Sequence, residues 1–177
     1  MTVEAAILRA VAATGSARPV VLIDGGAGAG KTTLAASLAE AWPGRVQLVG
    51  MDALYPGWGG LAAGSATVAG SVLRPDDPGY RRWDWAASRP AEWVALDPSL
   101  PLLVEGCGAL TPRTRARADL GVWCELEEAE RRRRAIARDG ELFASHWEEW
   151  EAQEAEHWRA HRPWELADIT VSPVSLA

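Results

Sequence analysis

The chain has 177 residues, 48% of them hydrophobic, and only two cysteines, so a single packed domain over 1–177 can form without disulfide or metal staples. Its formal net charge of −6 disfavours a surface built to neutralise nucleic-acid phosphates or to lie on anionic lipid, and leaves a small soluble molecule as the expected partner. Cys107 and Cys124 lie too far apart for a metal or redox motif and read as buried reduced thiols. The opening MTVEAAILRAVAATG has no basic start and is interrupted by Arg9, so neither export nor membrane insertion is expected and the location reads as cytoplasmic.

Ile7, Leu8 and Val11 recur at helical spacing and predict a leading amphipathic helix over Val3 to Ala13. PVVLID, Pro19 to Asp24, is a short β-branched run bounded by proline and glycine, as a central parallel strand requires. Alanine and leucine predict a helix from Thr32 to Trp42, followed by a strand over Arg45 to Val49. From Tyr55 to Pro98 the pattern dissolves into Gly, Pro and Trp, with a weak helical stretch over Leu61 to Leu73; this segment is expected to be a loop-rich substrate cover. Strands are then expected at Leu100 to Glu105, Leu120 to Leu126 and Ile169 to Val171. Two charged helices, Glu127 to Arg138 and Glu141 to Arg162, precede the last strand. Strands alternating with helices imply an α/β fold with a mostly parallel five-stranded sheet, helices on both faces and ligands beyond the carboxyl ends of the strands.

Gly25 to Thr32, GGAGAGKT, matches the spacing of a phosphate-binding loop between a strand and a helix. Its residues Gly25, Gly26, Ala27, Gly28, Ala29 and Gly30 let backbone amides converge on phosphate oxygens, and the helix that follows adds its positive N-terminal end. Lys31 is then expected to reach the outer phosphates of ATP, Thr32 to hold Mg2+ and Thr33 to open the helix as a further phosphate contact. Lys31 is the only lysine of the chain, which suits a site where a compact ammonium does what a guanidinium fork cannot. The chain contains no asparagine, so it lacks the NKxD motif by which guanine-specific switches read their base.

Asp52 follows the second strand, where a carboxylate can accept the proton of an attacking hydroxyl, although aspartate also closes turns for purely structural reasons. Glu105 ends the apolar run PLLVE, the position for a magnesium carboxylate. Among the five arginines 131–134 and 138, Arg134 and Arg138 share a helix face and are the candidates to meet transferring phosphate charge, the remainder forming a solvated face. Phe143, Trp147, Trp150 and Trp158 read as a core stripe, interrupted by Glu154 as a candidate partner for a lid arginine. Trp58, Trp83, Trp85 and Trp93 lie in the irregular segment, where a flat ring beside Asp84, with Trp58, Trp83 and Asp84 as the candidates, can hold a substrate or simply pack. His146, His157 and His161 lack metal-ligand spacing and read as surface or packing residues.

In their order, GGAGAGKTT, MDALY, LLVEG, RRRRAIARDG and LADITV resemble the uridine kinase branch of the P-loop kinases over nearly the whole chain. The resemblance implies a three-layer P-loop NTPase fold with a helical arginine-rich lid, ATP and Mg2+ as cofactors, and phosphoryl transfer to a hydroxyl of a nucleoside. It also implies Asp52 as the base, Tyr55 as a nucleoside contact and Glu105 as a magnesium partner. Position 54 is leucine where the family carries an aromatic residue, and the family's substrate-reading Asp-His-Pro stretch has no counterpart; Asp84, between two tryptophans, is the candidate to stand in for it. The competing expectations are a nucleoside monophosphate kinase, a small-metabolite kinase and a nucleotide-binding regulatory ATPase.

Overall fold

The computed structural model describes residues 2–172. Helix α1, Val3–Thr14, starts where the Thr2 hydroxyl accepts the Ala5 amide and stops at Gly15, whose left-handed backbone turns the chain back toward the sheet. Strand β1, Val20–Gly25, is buried along its whole length. It feeds through the glycine loop into α2, Lys31–Glu40, and then β2, Gln47–Gly50.

A short 3₁₀ turn over Met51–Ala53 is followed by α3, Leu61–Thr67, which widens into a π turn over Val68–Val72. The loop-rich cover expected over Tyr55 to Pro98 contains an antiparallel hairpin that the pattern did not announce: β3, Gly79–Asp84, and β4, Arg89–Ala95. The hairpin is separate from the main sheet, and most of its residues are half-buried or exposed, so neither strand carries a clean apolar alternation. A register shift between Arg81 and Trp83 blurs the period further.

The chain then forms β5, Leu102–Glu105; α4, Pro112–Arg115; β6, Leu120–Cys124; the long α5, Glu128–His161; α6, Pro163–Leu166; and β7, Ile169–Val171. Gly140 departs from helical geometry inside α5 and divides it into two halves, close to the two helices expected from the sequence.

The main sheet has the order β2-β5-β1-β6-β7, with every neighbour parallel. It is the five-stranded α/β sheet expected from the strand and helix alternation. Period-2 alternation along β1 splits the core between the two faces: Val20 and Leu22 join Met51, Tyr55, Trp147 and Trp150, whereas Val21 and Ile23 join Ile7, Leu34 and Leu38. Burying each of these large side chains contributes roughly 1.5–3 kcal/mol, which fixes the carboxyl ends of β1, β2 and β5 beside one another. Cys107 and Cys124 are free and buried, as expected. Among the described residues no helix is long and apolar enough to cross a membrane.

Candidate active site

The glycine loop leaves the end of β1 and wraps the N-terminus of α2, where the first turn leaves amides without helical partners. Its close packing demands glycine. A Cβ on Gly26 would stand 2.1 Å from the Arg131 guanidinium, and one on Gly28, at φ +79°, would stand 2.1 Å from the Arg131 carbonyl oxygen. Lys31 is buried, and its ammonium donates to the Gly26 carbonyl at 2.8 Å and to the Cys107 sulfur at 3.4 Å. Burial alone would lower its pKa, but the surrounding Cys107, Glu105, Glu154 and Asp24 outweigh it and push the pKa above the usual lysine range. The loop therefore presents a fixed positive charge beside free amides, which is the donor set an anionic phosphate chain requires.

Glu105, at the tip of β5, is buried and accepts a hydrogen bond from the Thr32 hydroxyl at 3.1 Å. Burial raises its pKa, the Lys31 ammonium opposes this, and the nearby Asp52 carboxylate adds to it. Among the described residues no group of three His, Cys, Asp or Glu side chains is placed to hold a metal ion by itself. A hydroxyl and a carboxylate in contact suit Mg2+ nonetheless, because that ion keeps waters and phosphate oxygens in most of its shell.

Beyond this pair lies a cavity of about 550 Å³ whose wall includes Lys31, Thr32, Thr33, Asp52 and Glu105 together with Gly28 and Gly30 of the loop. Tyr55, Trp58, Trp85, Phe143 and Trp150 supply its aromatic side. The Tyr55 hydroxyl donates to the Cys107 carbonyl at 2.8 Å, and its ring meets Trp150 edge-on at 4.8 Å. Trp58 stacks on His146 with ring centroids 4.4 Å apart and also contacts Trp85 and Phe143.

Two of the expected substrate residues lie elsewhere. Trp83 and Asp84 are outside the cavity wall, and the Asp84 carboxylate accepts the Ala87 amide at 3.0 Å, closing the hairpin turn. The hairpin instead delivers Trp85, whose indole N–H donates to the Asp52 carbonyl at 2.8 Å. Arg138 lines the cavity and pairs with Asp139, whereas Arg134 pairs with Glu130 at 2.7 Å and does not reach the wall.

No protein-family model matches the chain, and no curated protein matches it. Among solved structures, a possible uridine kinase from Bacillus stearothermophilus superposes with a TM-score of 0.62 at 19% identity, covering 88% of this chain and 89% of that one. A candidate fructose transport system kinase from Silicibacter sp. TM1040 superposes with a TM-score of 0.58 at 19% identity, covering 97% and 100%. The fold is that of the uridine kinase-like P-loop kinases.

Three residues that embed the loop in this P-loop kinase fold carried no sequence signal of their own. Asp24, fully buried at the end of β1, accepts the amides of Gly25, Gly108 and Leu110, and burial raises its pKa to about 6. Cys107 places its thiol between Lys31 and Glu154. Arg131, rather than Arg134 or Arg138, is the arginine that pairs with Glu154, at 3.2 Å, and it lies against the glycine loop. Only the Glu154 end of that pair interrupts a visible stripe; Arg131 is one of four consecutive arginines and cannot be told from its neighbours by pattern.

Proposed function

We propose that this chain is an ATP- and magnesium-dependent kinase that phosphorylates a hydroxyl of a small nucleoside-like molecule. The observation that carries the reading is the shared wall of one cavity. Lys31 and Thr32 of the phosphate loop, Glu105 at the strand tip and Asp52 after β2 face the same space as an aromatic pocket. The structural likeness to a possible uridine kinase and to a candidate fructose transport system kinase supports the same class of reaction.

In this reading ATP supplies the phosphoryl group, and Thr32 and Glu105 would hold a Mg2+ ion, which would supply charge neutralisation there. Asp52 orients the acceptor hydroxyl and takes its proton as the oxygen bonds to phosphorus, while the bond to the ADP oxygen breaks. Lys31 and Arg138 meet the negative charge on the transferring group. Tyr55, Trp58 and Trp85 hold the flat body of the acceptor and exclude water that would otherwise compete as nucleophile. A monophosphate acceptor fits less well, because it needs several arginines and, among the described residues, Arg138 is the single arginine on the cavity wall.

The test measures ADP release from MgATP with a panel of nucleosides, nucleoside monophosphates and sugars, with Asp52→Asn alongside. Stimulation by a nucleoside that Asp52→Asn abolishes supports the proposal, whereas stimulation by sugars alone would move the protein to the small-metabolite kinases. Stimulation only by monophosphates, with Asp52→Asn still active, would move the protein to the nucleotide kinases.

A further inference from the structure

Glu154 sits on the second half of α5 at 1% exposure, and its carboxylate gathers four donors, one from its own helix half and three from farther along the chain. Oε1 accepts the Ala27 amide of the phosphate loop at 2.6 Å, the Trp150 indole N–H at 3.1 Å and the Cys107 thiol at 3.2 Å. Oε2 accepts an N–H of the Arg131 guanidinium at 3.2 Å, and the same nitrogen donates to the Ala27 carbonyl at 3.3 Å. Both the N–H and the C=O of Ala27 are thus held by one buried ion pair.

A buried ion pair is a poor device for stability alone, because desolvating both charges offsets much of their attraction. What it supplies here is direction. The glycine loop belongs to no strand or helix over residues 26–30, and its amides are useful only in one arrangement. We propose that Glu154 is a positioning residue for the phosphate loop: through Ala27 and Arg131 it holds the loop in the shape that accepts a nucleotide phosphate chain. This rests on the reading of the loop as a nucleotide site. Trp150, which donates to the same oxygen, lines the acceptor cavity, so Glu154 also ties that cavity to the loop.

The test is calorimetric titration of the whole protein with MgADP, with melting temperature measured in parallel. Glu154→Gln keeps the size but loses the charge; Glu154→Asp keeps the charge but withdraws it by one methylene. Both are expected to bind MgADP at least tenfold more weakly, the scale of one charge-assisted hydrogen bond. Trp147→Phe, a buried change on the same helix at a residue that does not line the cavity, is expected to lower the melting temperature and leave affinity unchanged. Wild-type affinity in both Glu154 variants overturns the proposal. So does a loss of affinity that merely tracks melting temperature across all three variants, since that is what a structural role alone would give. Failure of the wild type to bind MgADP would sink the nucleotide reading itself and this inference with it, a result distinct from the other two.

Discussion

The Nε2 atom of His157 stands 4.0 Å from Oδ2 of Asp24 in the buried layer between β1 and α5, and the two groups are perturbed in opposite senses. Burial raises the Asp24 carboxyl to about 6. Burial, aided by the neighbouring His161, lowers the His157 imidazole to about 4. Lys31 also faces Asp24 and pulls its pKa down, without cancelling the rise.

The signs of the two contributions follow from which state holds the proton. Between pH 4 and 6, folded Asp24 keeps a proton that the unfolded chain has lost, so its contribution falls as pH rises. Over pH 4 to 6.5 unfolded His157 carries a proton that the folded imidazole lacks, so its contribution rises with pH. The two oppose in the wild type. Asp24→Asn is therefore expected to become more stable, relative to wild type, as pH goes from 4.5 to 6.5, and His157→Gln less stable over the same interval. For Asp24 the difference amounts to about 2 kcal/mol between pH 4.5 and 6.5. Urea midpoints at three pH values check this, and curves parallel to wild type would refute it.

Asp52→Asn is expected to lower acceptor-dependent turnover by roughly 10²- to 10⁴-fold, the usual contribution of a positioned proton acceptor. Asp52 is exposed at the cavity wall, so melting temperature and MgADP affinity should stay near wild type. Single-turnover kinetics with calorimetry separate the two effects.

Thr32→Val removes the hydroxyl, and Glu105→Gln removes the negative charge, from the 3.1 Å contact expected to receive the ion. The Mg2+ concentration for half-maximal activity should rise about 10- to 100-fold, while binding of ADP without metal changes little. A metal titration of activity, paired with metal-free nucleotide binding, decides it.

Gly28→Ala places a Cβ 2.1 Å from the Arg131 carbonyl at a left-handed backbone position, so the loop and α5 must separate. Nucleotide binding should drop by more than tenfold and the protein should be destabilised. Gly70→Ala is the control: its Cβ would meet nothing within 4 Å, and binding should be unchanged.

Trp85→Phe removes the indole donor to the Asp52 carbonyl and should raise the acceptor KM about fivefold, the scale of one hydrogen bond. Asp84→Ala opens the hairpin turn and should cost about 1 kcal/mol of stability with little change in KM. Acceptor kinetics on the two variants distinguish a cavity residue from a turn residue one position away.

The parts of the site legible in the sequence are those whose chemistry is written in neighbouring residues. The glycine loop, Lys31 and Thr32 form one contiguous run between a buried strand and a helix. Asp52 and Glu105 could be placed because each follows an apolar strand, and strand ends in a parallel sheet converge. The hairpin leaves no clear pattern in the sequence, because its residues are mostly half-buried or exposed and its period is broken between Arg81 and Trp83. That break also hides which of Trp83, Asp84 and Trp85 reaches the cavity, since the period that would assign each to a face is lost there.

The sequence by itself determined the chain order of the five main-sheet strands, the phosphate loop and the two strand-end carboxylates, because local periodicity and strand-end position encode them. Tertiary structure alone decided which arginine faces the loop, which tryptophan faces Asp52 and what holds the loop in shape. Glu154 and Ala27 are 127 positions apart, and no local pattern records a contact that forms only when α5 folds back over the end of β1. Such contacts are set by side-chain direction and packing in three dimensions, where adjacent arginines on one helix point to different surroundings.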